Sequence, residues 1–298
     1  LPTIGILWAA AALLAAAAPR VQVKMDRPRL IFTSGIALVL VVFSAATYSR
    51  ATVWSSTEIL LRQALQAHQD SRHLRMELQR IEMAKPFPDV EVARRHARLL
   101  MTLTRPSTQL IGTLNLLLID CMIDKRTDQK LIDLAFEIEP ETVEADVFLA
   151  FNVLANTIRS EPCPNLRPSM LAELALDTIK HSGISDEATL AWRMRVLAAQ
   201  LYYADGNLPG AYRQAQVAWE SSKHDPPVGM LLTELSIHLG VHDRADKLLA
   251  KLDKLIPKTD TKGRRALEQN RRLLNKIFLE GTRPKPATVP NSFLDSDT

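Results

Sequence analysis

Two long stretches without a charged residue open the chain, and they constrain its fold more than any other feature. Residues 1–18 and residues 30–49 contain no Asp, Glu, Lys or Arg. At about 1.5 Å per helical residue they reach roughly 27 and 30 Å, close to the hydrocarbon thickness of a bilayer. Because a helix satisfies its own backbone hydrogen bonds in lipid, the stretches predict a transmembrane helical hairpin over residues 1–49.

The loop between the stretches predicts the orientation of the chain. Residues 19–29 carry four basic residues, whereas Arg50 is the basic residue close behind the second stretch. Loops rich in Lys and Arg stay on the cytoplasmic side of a membrane. We therefore expect an integral membrane protein, in a bacterium one of the inner membrane, whose large C-terminal part is periplasmic. A cytoplasmic C-terminal part is the alternative.

A secretory signal peptide is the competing interpretation of residues 1–18, whose Ala-rich end resembles a cleavage site. Signal peptides begin with basic residues after the initiator Met, but this chain begins Leu1-Pro2-Thr3 and places its charges after the apolar stretch. The pattern therefore favours a membrane span, and the missing Met leads us to expect further spans upstream.

The rest of the sequence predicts an all-α fold. The chain has 10 Gly and 5% aromatic residues, and the residues that lose least side-chain freedom in a helix dominate it. From residue 52 onward, apolar residues recur at spacings of three and four, interrupted by Pro, Gly or Asn/Asp clusters. The pattern predicts about twelve helices: 55–67, 71–84, 89–103, 106–123, 127–138, 141–159, 168–181, 186–204, 208–222, 227–239, 242–256 and 263–280.

A repeat period distinguishes the two all-helical architectures that remain, a closed bundle and a stack of helical hairpins. Gly206 precedes Gly240 by 34 residues, and Ala211 precedes Ala245 by the same distance. Gly suits the left-handed backbone of a turn between paired helices, and Ala lets the helices approach closely. The period therefore favours an α-solenoid. We predict it over residues 50–281, with its clearest repeats at 192–225 and 226–259, before a disordered, Pro-rich tail at 282–298.

These two repeats resemble the tetratricopeptide (TPR) repeat. In residues 192–225, Ala199 and Tyr202 occupy the small and aromatic positions of that family, and residues 226–259 carry its closing proline, Pro257. The second repeat departs from the family at three positions: Thr233, Ser236 and Leu252.

The TPR resemblance implies a concave groove, lined by the first helix of each pair, that binds an extended peptide or a protein, or here a glycan acceptor. Charged, amide and aromatic side chains suit hydrogen bonding to backbone amides or sugars, although packing against a neighbouring repeat explains Met230 equally well. The 34-residue frame assigns six residues to this groove: Arg193, Gln200, Tyr203, Met230, Glu234 and His238.

A second resemblance covers the predicted membrane exit, residues 47–78. It is similar to the junction before the TPR array in polytopic glycosyltransferases of the GT-C type, such as O-mannosyltransferases. This resemblance implies that the chain is the acceptor-recognition or scaffold part of an enzyme whose catalytic spans lie upstream of Leu1. A non-enzymatic, membrane-tethered scaffold for envelope assembly is the alternative. The resemblance depends on five residues: Thr47, Arg50, Trp54, Ser71 and His73.

No pattern in the sequence predicts catalysis, a metal site or a cofactor. The seven His residues include no His-Glu-x-x-His, and His238 and His242 straddle the turn at Gly240. After residue 49, 33 basic residues face 32 acidic ones, which argues against a nucleic-acid partner. The basic stretches 94–98 and 263–276 are typical of solvated helix faces, with contact to anionic lipid or an acidic partner as the alternative.

The two cysteines, Cys121 and Cys163, are 42 residues apart, which does not match a zinc or redox spacing. In a periplasmic domain they could form a disulfide. The apolar surroundings of Cys121, in the segment LLLIDCMID, favour a small buried residue instead.

Overall fold

The computed structural model describes residues 28–280. In that range the regular structure is thirteen α-helices and one π-helical segment, without a strand, which confirms the predicted all-α class. The first predicted span and the predicted tail lie outside the described residues. Within the range, the description leaves out the side chains of residues 28–34, 36, 37, 52, 53 and 278–280.

Residues 28–67 form a unit of two helices, α1 (Pro28–Trp54) and α2 (Thr57–Ala67). The second predicted span, residues 30–49, lies within α1, whose 27 residues extend roughly 40 Å. Apolar side chains of α1 are strongly exposed, including Leu38 at 66% and Val41 at 65%.

Length and composition identify one helical stretch of the described chain, Pro106–Asp124, as able to cross a bilayer. That stretch is 61% buried within the protein, as the core helix of a soluble domain is. The apolar part of α1 found by the same criteria is shorter, Leu38–Ala51. The predicted pair of spans is therefore not confirmed, and the span in α1 stays a prediction.

Residues 68–280 form a second unit, an array of helical hairpins that is solenoid-like. Each hairpin consists of a first helix, here called an A helix, and a second, here called a B helix; three of the five successive pairs of A helices also pack together. The A helices are α3 (Arg72–Met83), α5 (Pro106–Ile119), α7 (Ala145–Ser160), α9 (Thr189–Ala204), α11 (Pro226–His238) and α13 (Thr261–Glu280). The B helices are α4 (Val90–Met101), α6 (Gln129–Glu137), α8 (Pro168–Ser182), α10 (Leu208–Ser221) and α12 (His242–Leu255).

Local signals in the sequence explain where these helices begin. The Asp89 side chain caps α4 by accepting from the Val92 backbone N–H, and Asn207 caps α10 by accepting from that of Gly210. A proline occupies the first turn of α5, α8, α10 and α11, where its missing N–H has no partner to lose. The twelve helices predicted from the sequence correspond to α2–α13.

The hairpins do not share one strict period. The A helices begin at residues 72, 106, 145, 189, 226 and 261, so successive starts are 34, 39, 44, 37 and 35 residues apart. The 34-residue frame therefore loses register in the middle of the array. Gly206 and Gly240 lie in the turns of the last two hairpins with φ of 80° and 77°, a backbone conformation that favours glycine.

The positions that depart from the TPR pattern are accommodated in the core. Thr233, Ser236 and Leu252 are fully buried. The two hydroxyls donate to the carbonyls one turn back, Thr233 to Gly229 and Ser236 to Leu232, each at 2.7 Å. Burying these polar groups therefore leaves neither hydroxyl without a partner.

A disulfide joins Cys121 and Cys163, whose Cα atoms are 5.4 Å apart. The interpretation of Cys121 as a free buried residue is therefore wrong. Cys121 lies in the π-helical segment Asp120–Asp124, which continues α5, and Cys163 follows the end of α7. Since α5 and α7 pack as neighbouring A helices, residues just beyond their ends come together.

Candidate partner-binding face

Polar side chains connect neighbouring A helices of the array. Asn115 in α5 donates from Nδ2 to Gln79 Oε1 in α3 at 3.1 Å. Arg159 in α7 donates from Nη1 to Gln200 Oε1 in α9 at 3.3 Å. Each bond crosses from one hairpin to the next, so polar groups meet where consecutive A helices adjoin.

The same arrangement continues towards the C-terminal end. Tyr203 OH in α9 donates to Glu234 Oε1 in α11 at 3.5 Å. Asn270 in α13 donates from Nδ2 to the carbonyl of Met230 at 3.2 Å. We call the set the A-helix polar row; it consists of Gln79, Asn115, Asn152, Asn156, Arg159, Gln200, Tyr203, Glu234, His238 and Asn270.

The six residues predicted to line a groove lie on α9 and α11, and five of them have largely buried side chains, Arg193 being partly exposed. Tyr203, Glu234 and His238 come together, whereas the Arg193 guanidinium lies over the Trp192 ring, 5.6 Å from its centroid. Met230 contacts the next A helix through its carbonyl, and its side chain lines an open cavity of about 430 Å³ between α11 and α13. Relative exposure is 2% for Gln200, 3% for Tyr203 and 3% for Met230, and the side chains of Glu234 and His238 are 14% and 3% exposed.

Burial shifts both titratable groups beside Tyr203. The pKa of Glu234 is raised by burial, an effect that the hydrogen bond from Tyr203 opposes. The pKa of His238 is lowered by burial. The His238 Nε2 atom lies 3.9 Å from Glu234 Oε1, beyond hydrogen-bond distance, and is buried without a partner. Burial therefore disfavours the charged form of both the imidazole and the carboxyl.

Sequence analysis missed Asn152, Asn156 and Arg159 on α7. They follow one another at spacings of four and three residues and so share one helix face. The sequence shows this spacing. However, the helical hairpins between α5 and α9 are longer than 34 residues, so the 34-residue repeat frame does not place these residues next to Gln200.

In both basic stretches, 94–98 and 263–276, arginine side chains pair with acidic neighbours. Arg94 bonds to Glu91, Asp120 and Asp124. In the second stretch, Arg264 and Arg271 both contact Asp253. Between residues 28 and 280, no group of three or more His, Cys, Asp or Glu residues is placed to hold a metal ion.

Comparisons with protein-family models, with curated proteins and with solved structures found no match. The TPR and glycosyltransferase resemblances therefore stay predictions, and the function has to be argued from the geometry of the A-helix polar row.

Proposed function

We propose that the chain is a membrane-tethered interaction module that binds a protein or peptide along the A-helix polar row. One observation carries the proposal: among the residues that the structure describes, five buried side-chain atoms on A helices have no hydrogen-bond partner. Each such atom costs about 1–3 kcal/mol, so native proteins retain few of them without a reason. A bound peptide, with its backbone donors and acceptors, would supply partners to such groups once their side chains turn towards it. Three of the five atoms belong to the A-helix polar row: Asn152 Oδ1, Arg159 Nε and His238 Nε2. The other two, Arg72 Nη1 and Arg75 Nε, lie on α3 beside Gln79 of the row.

The tether in this proposal is α1. Its exposed Leu38, Leu40, Val41 and Val42 would contact water in a soluble protein, which is unfavourable for a contiguous apolar surface. A bilayer removes that cost. The predicted partner span, residues 1–18, completes this picture and lies outside the described residues, as do residues 19–27 of the basic loop.

The disulfide supports an extracytoplasmic location for the hairpin array. Disulfides persist in the periplasm and outside the cell and are rare in the reducing cytosol. We propose a periplasmic array, in agreement with the basic loop that precedes α1. The test is to quench intact cells with acid and alkylate the protein with a maleimide-polyethylene glycol, before and after reduction. A shift that requires reduction supports this location, and a shift without reduction contradicts it.

Site-specific photocrosslinking tests the interaction face in the full-length chain. Val153 is 40% exposed on α7, next to Asn152, and can carry a benzoylphenylalanine probe. Lys247, exposed on the B helix α12, is the matched control position. We expect a discrete crosslinked product from Val153 and none from Lys247. Equal crosslinking at both positions, or none at Val153, would contradict binding along the A helices.

A second candidate function is the acceptor-recognition part of a membrane glycosyltransferase. The observation that favours it is the resemblance over residues 47–78, which includes the C-terminal part of α1. The alternative is a scaffold for envelope assembly without enzymatic activity. The reading frame upstream of Leu1 distinguishes them: many further spans with an acidic extracytoplasmic loop support the enzyme, whereas an immediate start codon supports the scaffold.

A further inference from the structure

Arg159 is a half-buried arginine for which the described residues show no acidic partner. Arg75 shares this lack, but its Nη2 donates to the Gln69 carbonyl. Among the described residues, the hydrogen bonds of the Arg159 side chain are both with amides: Nη1 donates to Gln200 Oε1 at 3.3 Å, and Nη2 donates to Asn156 Oδ1. By contrast, four comparable arginines each bind a carboxylate: Arg72 binds Glu144, Arg94 binds Asp120, Arg195 binds Asp186 and Arg264 binds Asp253.

The surroundings of Arg159 make this charge unfavourable in the free protein. Its Nε is buried without an acceptor, and burial alone accounts for the lowered pKa of the guanidinium. Neutral amide oxygens and the C-terminal end of α7 stabilise a cation in part. A carboxylate would stabilise it more, since charge-assisted hydrogen bonds to a guanidinium are stronger than bonds to amides.

The flanking groups indicate what kind of carboxylate fits. One guanidinium among neutral amides matches a single negative charge better than a phosphate dianion. Asn152 lies on the same face of α7 and its Oδ1 has no donor, which a peptide N–H can supply. Exposed Leu149 and Val153 on that helix offer apolar contact to side chains of the same peptide.

We propose that Arg159, with Asn156 and Gln200, binds the side-chain carboxylate of an Asp or Glu in an extended peptide laid along the A-helix polar row. This inference rests on the proposed function and adds the chemistry of the partner. It also explains why an arginine stands here, where a second amide would serve equally well to join α7 and α9.

Isothermal titration of the full chain in detergent micelles tests the proposal. The probes are two peptides blocked at both ends, hexaglutamate and hexaglutamine. We expect hexaglutamate to bind more tightly than hexaglutamine. Arg159→Gln should weaken hexaglutamate binding by about tenfold or more, and Arg159→Lys by less, because it keeps the charge. Arg213→Gln, on the B helix α10, is the charge-matched control and should leave the affinity unchanged.

The outcomes separate this inference from the proposed function. Equal affinity for both peptides would leave peptide binding intact and overturn the carboxylate site. Equal loss in Arg159→Gln and Arg213→Gln would mean attraction by overall charge, which also overturns it. A third probe is hexaglutamine with a free C-terminus. If it is the only peptide whose binding is weakened by Arg159→Gln, Arg159 binds a terminal carboxylate, and the proposed side-chain carboxylate is overturned. If none of the peptides binds, the carboxylate site at Arg159 is rejected. The proposed function is then tested separately by crosslinking from Val153. An unchanged melting temperature shows that Arg159→Gln is folded.

Discussion

The two seams α5–α7 and α9–α11 differ in what they add to the buried apolar core on which each lies. At α5–α7 both helices contribute fully buried apolar residues to one core, including Leu114, Phe151 and Leu154, and a disulfide closes the end of the seam. At α9–α11 the contact includes Tyr203, Glu234 and His238, linked by one long hydrogen bond of 3.5 Å. The first seam has the composition of a core, whereas the second also buries a polar cluster in which His238 Nε2 has no hydrogen-bond partner among the described residues.

This difference indicates how stability and binding are divided within the array. Buried apolar side chains and a crosslink contribute several kcal/mol, whereas half-satisfied polar clusters contribute little or reduce stability. We therefore infer that the α5–α7 seam holds the array together so that polar seams elsewhere can serve a partner. The predictions below test this comparison, beginning with the strongest effect.

Truncating Phe151 should cause the largest loss. Its side chain is completely buried, so Phe151→Ala removes the apolar transfer energy and leaves a cavity, at a cost of about 3–5 kcal/mol. Urea unfolding followed by circular dichroism measures the loss. Phe151→Leu, which retains most of the volume, is the control and should cost much less. A loss below about 1 kcal/mol in Phe151→Ala would show that α5–α7 is not the stabilising seam.

Removing the disulfide should have the next largest effect. Closing a loop of 42 residues restricts the unfolded chain, and the polymer estimate for that length is about 4 kcal/mol, with measured values commonly at 2–4 kcal/mol. The double variant Cys121→Ala and Cys163→Ala should unfold at lower urea than the oxidised wild type. Reducing agent should lower the wild type to a similar midpoint and leave the variant unchanged. If the reducing agent lowers the unfolding midpoint of the wild type and of the double variant equally, loss of the disulfide is not the cause of the change.

The disulfide also shows what the sequence could reveal and what it could not. The separation of 42 residues is close to one hairpin unit, since α5 and α7 start 39 residues apart. Cysteines one unit apart at equivalent A-helix ends are neighbours in a solenoid. The sequence suggested a disulfide only as an alternative for a periplasmic domain, and the predicted periodic architecture was not used to support it.

Helix class and helix number were predictable because they depend on local periodicity and caps such as Asp89 and Asn207. The polar row was only partly predictable. Tyr203 and Glu234 fell within the regular C-terminal frame, whereas Arg159 lies before a spacing of 44 residues between α7 and α9. A contact between units of unequal length depends on packing that no single repeat frame encodes.

Acidification should affect the polar seam through His238. Burial lowers the pKa of this group below its ordinary value of 6.5, so below about pH 6.5 the unfolded chain binds a proton that the folded protein resists. Stability is then lost as the pH falls. We expect the wild type to lose stability relative to His238→Gln between about pH 7.5 and about pH 5. A relative gain at low pH would mean instead that protonated His238 pairs with Glu234.

Glu234 should act with the opposite sign and provides an internal check. Its pKa is raised above 4.5, so the folded protein keeps a proton that the unfolded chain has already lost. Its contribution is present below about pH 4.5 and is lost as the pH rises through the raised value. Relative to Glu234→Gln, the wild type should therefore become less stable with rising pH. If the difference in unfolding free energy between the wild type and Glu234→Gln does not change with pH, the Glu234 carboxyl is not desolvated.

The smallest effect should come from the hydroxyl that links the two helices of the polar seam. Tyr203→Phe retains the buried ring and removes only a bond of 3.5 Å to Glu234, so the expected loss of stability is below about 1 kcal/mol at neutral pH. Because that bond opposes the rise in the pKa of Glu234, its removal should raise this pKa further. Carbon-13 NMR of labelled Glu side chains would detect the change. Tyr203→Ala is the contrasting variant and should cost as much as a core truncation, since the ring itself is 3% exposed. A loss in Tyr203→Phe as large as that of Phe151→Ala would mean that the polar seam contributes to stability as strongly as the apolar seam, and the proposed division between the two seams would fail.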